Sequence, residues 1–295
     1  MAMDTSSIRK LVAMAIPCWI RKVVPLRISQ HLFFKGVFEA RLYGKKTMKL
    51  LHVGHQIENE IYWRGIEGCH EKKSMQVFAS IVQNLAPKVV WDIGANSGTY
   101  GILTKALKSD CEVVFFEPIP KAIEIIQSNL NINNFDAKVF EIALGNFDGV
   151  GEIFLEKGHD FATSVTVNRN TLSNIIESYS IPINICRSDT LMAEHGLKSP
   201  DLVKLDVETY EYEVLDGFGT HFPNRCIFLI EVLSEDLGLK LMEFFPPATY
   251  QFWNINDQKG VIRKVDVLGK SDFYNFLVVP KSQVVVLENL LRGVL

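Results

Sequence analysis

The sequence predicts an α/β fold with a mostly parallel central sheet of about seven strands, helices on both faces and an antiparallel C-terminal edge. Three features predict it. Short β-branched runs alternate with helical periodicity from about residue 71 onward, an acidic glycine turn closes the first core strand, and the tail carries three further strand-like runs.

The elements follow in order. Met75, Phe78, Ala79, Val82 and Leu85 recur at helical spacing, and Pro87 ends that helix. The run 88–92 is β-branched and aromatic and reads as the first core strand, followed by a turn and a helix over 99–107. The alternation then repeats as strand 112–117, helix 121–131, strand 137–142, strand 202–207, helix 210–218 and strand 226–232. Between the third and fourth core strands, 151–156 and 164–168 read as a hairpin whose loop, 157–163, is expected near the strand ends. The runs 250–255, 261–267 and 273–279 are the tail strands, two of them an expected antiparallel edge. Val284, Leu287, Leu290, Leu291 and Val294 form one helical stripe that should pack on the core. This divides the chain into a basic N-terminal extension or cap (1–70), a catalytic domain (71–280) with a hairpin insertion around 147–170, and a C-terminal helix (281–295).

Composition sets the class. With 295 residues and 47% hydrophobic content the chain can bury one sizeable core. Its five cysteines form no C-x-x-C pair, so no metal, redox or disulfide framework is indicated and a reducing, cytoplasmic compartment fits best. The apolar run 11–20 is broken by Pro17 and closed by Arg21 and Lys22, too short for a membrane span and lacking the hydrophobic region of a secretion signal. Residues 1–50 hold ten Lys or Arg against Asp4 and Glu39, a balance of +8, which leaves −11 for the rest of a chain of net charge −3. Such an arm could meet a membrane surface, a phosphate-bearing substrate or an acidic partner, or simply fold back on the acidic body.

The turn Asp92-Ile93-Gly94-Ala95-Asn96-Ser97-Gly98 carries the chemistry. Glycine lets the backbone approach a ligand, and the helix that follows offers unpaired N–H groups. The dinucleotide fingerprint G-x-G-x-x-G would need glycine at 96 and 99, where Asn96 and Thr99 stand, so NAD is disfavoured. The Asp92 carboxylate would repel a pyrophosphate and attract the ammonium and sulfonium of S-adenosyl-L-methionine. Glu117 closes the second strand 19 residues past Gly98, near the offset at which an acid reaches ribose hydroxyls.

With these residues the chain resembles the FkbM-type methyltransferases, whose members carry an aspartate-glycine-alanine-asparagine loop, a "FEP" after the second strand and a "K-x-D-x-E" strand. Here these read Asp92 to Tyr100, Phe116-Glu117-Pro118 and Lys204-Leu205-Asp206-Val207-Glu208, and Ser188-Asp189-Thr190-Leu191 belongs to the same match, which runs from about Glu71 to Glu235. The resemblance implies a Rossmann-like class I methyltransferase fold and S-adenosyl-L-methionine bound by Asp92, Gly94, Asn96, Gly98 and Glu117, with Asp206 facing the transferred methyl. Ala95, Tyr100, Pro118 and Ala143 complete the expected cofactor set. Where similar proteins usually have glycine after the glutamate, this chain has Thr209, which implies an altered turn there.

Strand alternation places Lys204, Asp206 and Glu208 on one face. A lysine inside a central parallel strand must be paired, and Asp206, Glu208 and Glu231 are the available carboxylates. These four are the expected catalytic cluster, orienting an acceptor hydroxyl and taking its proton. His159, in the hairpin loop, is a second candidate base. The carboxylates could form an oxygen-rich metal site, but Lys204 opposes a cation and no ligand spacing demands one, so metal independence is expected. The chain has no N-P-P-Y-like motif, and its one Pro-Cys pair, Pro17-Cys18, lies in the arm. The expected reaction is therefore O-methylation of a hydroxyl on a small molecule, glycan or natural product, with no DNA partner. The alternatives are an RNA 2'-O-methyltransferase, against which the acidic body argues, and a non-catalytic cofactor-binding scaffold.

Overall fold

The computed structural model describes residues 11–29, 32, 35–43, 46–156, 165–166, 178–269 and 273–291. Fourteen strands are present among them: β1 (Gly36–Arg41), β2 (Thr47–His52), β3 (Val89–Ile93), β4 (Glu112–Phe116), β5 (Lys138–Phe140), β6 (Ala143–Gly145), β7 (Gly149–Glu156), β8 (Val165–Thr166), β9 (Ser178–Arg187), β10 (Leu202–Leu205), β11 (Ile227–Glu231), β12 (Tyr250–Asn256), β13 (Val261–Val265) and β14 (Asn275–Pro280). The principal helices are α1 (Gln56–Arg64), α2 (Lys72–Asn84), α3 (Thr99–Leu107), α4 (Pro120–Asn133), α5 (Ser188–His195), α6 (Glu211–Asp216), α7 (Glu235–Leu241) and α8 (Val284–Leu291).

The main sheet has eight strands in the order β13-β12-β14-β11-β10-β3-β4-β5. The five from β11 to β5 are parallel, as the β/α alternation predicts. β14 is antiparallel to both its neighbours, β11 and β12, so the last strand is threaded into the sheet rather than laid on its edge. Because the central strands are covered on both faces, β3 is buried at every position and β10 likewise. Alternation splits their side chains between two cores. Val90 and Leu202 join Phe78, Ile102 and Leu277 on one face, while Trp91, Val203 and Leu205 join Phe218, Phe228 and Phe276 on the other.

The described residues before position 71 are packed onto this body. β1 and β2 form an antiparallel hairpin whose Phe38, Met48 and Leu50 enter the same core as Phe78. The free edge of β2 is satisfied by asparagines of α4: Asn129 Oδ1 accepts from Leu51 N at 2.8 Å, and Asn133 both accepts from Lys49 N at 2.8 Å and donates to Lys49 O at 2.7 Å. Cations of the basic arm turn inward too. The Arg21 guanidinium lies 4.1 Å from the Tyr62 ring centroid, and Lys46 donates to the Leu107 carbonyl. No helix among the described residues is long and apolar enough to cross a membrane.

Three expectations need correction. The strand expected over 137–142 is shortened to β5, in the main sheet, and is followed at once by β6, which starts a second sheet of order β6-β9-β7-β8. The expected hairpin is present as β7 and β8, but β9 is its principal partner and was not foreseen. Ile181, Ile183 and Ile185 alternate inward there onto Ile153 and Leu155, yet Pro182 obscured the pattern; Pro182 is tolerated because β6 pairs only with residues 185–187 and leaves that stretch of β9 an open edge. The strand expected over 202–207 ends at Leu205, because Glu208 and Thr209 take φ of +53° and +79° and turn the chain. The C-terminal stripe packs as expected through Leu287 and Val284, within the described part of α8.

Candidate active site

The cofactor turn is held by its own backbone. Gly94 N and Ala95 N both donate to Phe116 O, at 3.0 and 3.2 Å, and Asp206 N donates to Ile93 O at 3.1 Å, so the ends of β3, β4 and β10 are laced together. Gly94 has φ +72°, and a Cβ there would lie 1.8 Å from the Asp206 carbonyl oxygen. No other residue fits. Gly98, φ +77°, precedes α3 and packs against Ile126 and Phe115; it shapes the turn without lining the cavity. Asn129 reaches across from α4 to donate to Ser97 O at 2.9 Å, so the side chain that docks the N-terminal hairpin also fixes the turn.

Two carboxylates support this turn from inside. Asp92, buried, accepts from Gly101 N at 2.8 Å, and burial pushes its carboxyl up to about 7. Glu117 accepts from Asn96 N at 2.8 Å through one oxygen and from Ile119 N at 3.0 Å through the other, and burial holds it at about 7 despite both donors. Each oxygen keeps a lone pair for a further donor.

Across the cavity stands the charged corner at the end of β10. Lys204, 2% exposed, donates to Asp206 Oδ2 at 2.9 Å. Burial lowers the Lys204 affinity for its proton, but Asp206, Glu71 and Glu231 outweigh it and keep the ammonium charged. Burial would raise Asp206, and Lys204 reverses that, holding it below the ordinary carboxylate range. Glu231, at the end of β11, is raised first by burial and then by the Asp206 charge, and it hydrogen-bonds Asp206. Glu208 is pushed up to about 8 by burial and then by Asp206. The resting corner is thus one ion pair flanked by two protonated acids.

Asp206, Glu208 and Glu231 have oxygens within 4.8 Å of one another, a spacing that can hold a metal ion, but the Lys204 ammonium already supplies positive charge at Asp206. Alternation alone did not bring Glu208 to this cluster. Its left-handed backbone does so, one residue ahead of Thr209, so the position at which similar proteins carry glycine does adopt a glycine-like φ here.

One cavity of about 760 Å³ joins these parts, room for a nucleoside-sized ligand together with a second molecule. Of the expected cofactor set, Asp92, Gly94, Ala95, Asn96, Tyr100, Glu117, Pro118, Ala143 and Asp206 line it, as do Lys204, Glu208 and Glu231 of the catalytic set. His159 lies outside the described residues.

The sequence reading missed part of the wall. Gln56, Glu60 and Arg64 of α1, then Gly68 to His70, line the cavity from the segment assigned to the extension, Glu71 and Lys72 line it from the start of the expected catalytic domain, and Asp257 and Asn275 line it from the tail. Asp257, in the β12–β13 turn, caps α2 in place of a local residue: Oδ1 accepts from Lys73 N and Ser74 N at 2.7 and 2.8 Å, and Oδ2 from Ser74 Oγ at 2.7 Å. Asn275 donates to Glu71 Oε1 at 3.1 Å. Glu211 was missed as well. It is fully buried, accepts from Val207 N at 3.1 Å, and is raised to about 8 by burial, so it ties down the turn that aims Asp206 and Glu208. Its signal was an acid three residues past Glu208, at the start of a helix.

A parallel sheet with a glycine turn on one strand end and a carboxylate cluster on the next defines a Rossmann-like group-transfer site. Residues 92–264 match the methyltransferase FkbM domain, and the chain belongs to that family. It is similar to the hexuronic acid methyltransferase AglP of Haloferax volcanii, with 26% identity over 146 residues covering 49% of this chain and 55% of that protein. It is also similar to the 2-O-methyltransferase NoeI of Sinorhizobium fredii, with 27% identity over 155 residues covering 49% of this chain and 63% of that one. The chain therefore spans less than two thirds of either relative. Among solved structures, the precorrin-6y C5,15-methyltransferase of Geobacter metallireducens superposes with a TM-score of 0.40 at 13% identity, covering 71% of this chain and 88% of that one.

Proposed function

We propose that this protein transfers a methyl group from S-adenosyl-L-methionine to a hydroxyl oxygen of a sugar, glycan or small natural product. The observation that carries the reading is the single cavity in which the turn Asp92–Gly98 and Glu117 face the Lys204, Asp206, Glu208 and Glu231 corner. The donor fits the first wall. Two buried carboxylates, Asp92 and Glu117, are held near 7 with no cation bonded to either among the described residues, and a positively charged ligand with ribose hydroxyls would compensate both. Bound there, S-adenosyl-L-methionine supplies an electrophilic methyl on its sulfonium.

The chain's residues do the remaining work. Asp206, ionised and fixed by Lys204, accepts the hydrogen bond of the acceptor hydroxyl and orients its oxygen. Glu208, in the fraction that is ionised as the pH approaches about 8, takes the proton as the new C–O bond forms, since a base is most effective when its pKa lies near the working pH. The Lys204 ammonium, a local cation already paired with Asp206, supports metal independence. The sugar class is supported by the hexuronic acid named for AglP, and transfer to oxygen by the 2-O-methylation named for NoeI. A methyl-donor assay over a panel of sugars, polyketides and RNA, run with and without chelator, tests the reading. Transfer to a hydroxylated sugar or small molecule that persists in chelator is expected; no affinity for the donor or for S-adenosylhomocysteine would overturn it.

A further inference from the structure

The segment that precedes β1 is folded inside out. Among the described residues 11–35 only Ala13 and Ser29, both small, are buried, while Leu11, Val12, Met14, Val23 and Ile28 are between 45% and 74% exposed. Five large apolar side chains in solvent within residues 11–28, against ten over all the other described residues, make a cluster rather than a scatter. The segment is attached by backbone and by its small residues. Tyr62 donates to Ala13 O at 2.9 Å, the Arg21 guanidinium lies over the same ring, and Asn59 Nδ2 donates to Ser29 O at 3.0 Å. Residues 59 and 62 are neighbours on the surface of α1, so three points of the segment are gathered on one stretch of that helix and its large side chains are left outside.

The same stretch is cationic. Residues 5–38 contain six Lys or Arg and no Asp or Glu. Lys22 and Lys35 are exposed beside the apolar cluster. Lys22 meets Glu67 only at 4.0 Å, with both side chains more than half in solvent, too loosely to cancel its charge. Aliphatic side chains interspersed with cations are the combination that an anionic, partly apolar surface satisfies.

We propose that this segment docks the protein on the surface of an anionic lipid bilayer, its aliphatic side chains entering the headgroup layer and its cations resting on lipid phosphates. The contact is with one leaflet, as an interfacial segment makes it. A second copy of the chain would bring two cationic segments together, and these repel. A protein partner would need a shaped pocket for each apolar side chain, whereas a fluid bilayer takes them without one. α1 ties the docked face to the cavity, since it seats the segment on Asn59 and Tyr62 and walls the cavity with Gln56, Glu60 and Arg64. The docking holds whatever the cavity methylates.

The test is co-sedimentation of the whole chain with vesicles of equimolar phosphatidylcholine and phosphatidylglycerol, set against vesicles of phosphatidylcholine alone. The anionic vesicles should bind at least about tenfold more tightly, and added salt should weaken them. The triple variant Leu11→Gln/Met14→Gln/Val23→Gln and the double variant Lys22→Gln/Lys35→Gln should each lose about tenfold while melting as the wild type does, because all five side chains stand in solvent. Binding to neither vesicle, equal binding to both, or variants that bind as the wild type does would each overturn the proposal. A dimer seen by analytical ultracentrifugation that the triple variant abolishes, with no vesicle binding in the wild type, would overturn it in favour of a second copy.

Discussion

Two strand-to-helix turns lie side by side in this sheet and are built on opposite terms. The turn after β3 places glycine at two of its three left-handed positions, Gly94 and Gly98, with Asn96 at the third, and gains a backbone that can lie against a ligand. The turn after β10 puts Glu208 and Thr209 in the same backbone region and gains side chains where glycine would offer none. Left-handed backbone at a non-glycine residue costs on the order of 1–2 kcal/mol. The comparison teaches that one turn is shaped for contact by main chain, and its neighbour accepts strain to hold charge in place.

The largest expected effect is on the charged corner. Asp206→Ala and Glu208→Ala should keep the fold and reduce methyl transfer by roughly 10²- to 10⁴-fold, the range for a removed acid–base group. Circular dichroism with single-turnover rates checks this; wild-type turnover in both variants would make the corner structural only. In the wild type, the rate should climb as pH rises toward about 8, where Glu208 ionises, and Glu208→Gln should lose that limb.

Next comes the glycine turn. Gly94→Ala drives a methyl into the Asp206 carbonyl, which cannot give way without parting β3 from β10, so a loss of about 3 kcal/mol or more is expected by denaturant unfolding. A loss under about 1 kcal/mol would erase the contrast between the turns.

A smaller effect separates structural from chemical carboxylates. Glu211 is raised to about 8 in the folded protein from an ordinary 4.5, so the folded state binds the extra proton between those values and stability falls as pH rises through that window. Glu211→Gln should flatten that decline in melting curves taken from pH 5 to 8. An unchanged slope would remove Glu211 from the account.

The smallest is Thr209→Gly. Relief of left-handed strain, less the entropy glycine costs, should leave a gain of about 0.5–1 kcal/mol. A net loss would mean that the Thr209 side chain, rather than its backbone, is what the turn requires.

The sequence made the parallel core legible because its signals are local. Val89 to Ile93 and Glu112 to Phe116 are β-branched and aromatic apart from Asp92 and Glu112, and the acid-glycine turn and Glu117 sit at fixed offsets from them. It concealed whatever depends on distant partners. Nothing near Lys72 announces that Asp257 will cap α2, and Asn129 reads as a polar helix residue until β2 lies against it. The wall made by Arg64, Glu71 and Asn275 escaped for the same reason, since these residues share a cavity only after three separate segments converge. Strand periodicity carried Glu208 to the right cluster by the wrong route, because a period of two assumes extended backbone and the chain had already turned at Glu208.

The threading of β14 between β11 and β12 sets an order of assembly. A nascent chain that has not yet released residue 275 has two strands with facing edges unfilled and Asn275 missing from beside Glu71. Pairing partners this far apart along a polypeptide is slow, so the donor half of the pocket can mature early while the half that receives the second molecule closes last. A ribosome-tethered intermediate of this protein would therefore hold a nucleoside before it could select what to modify.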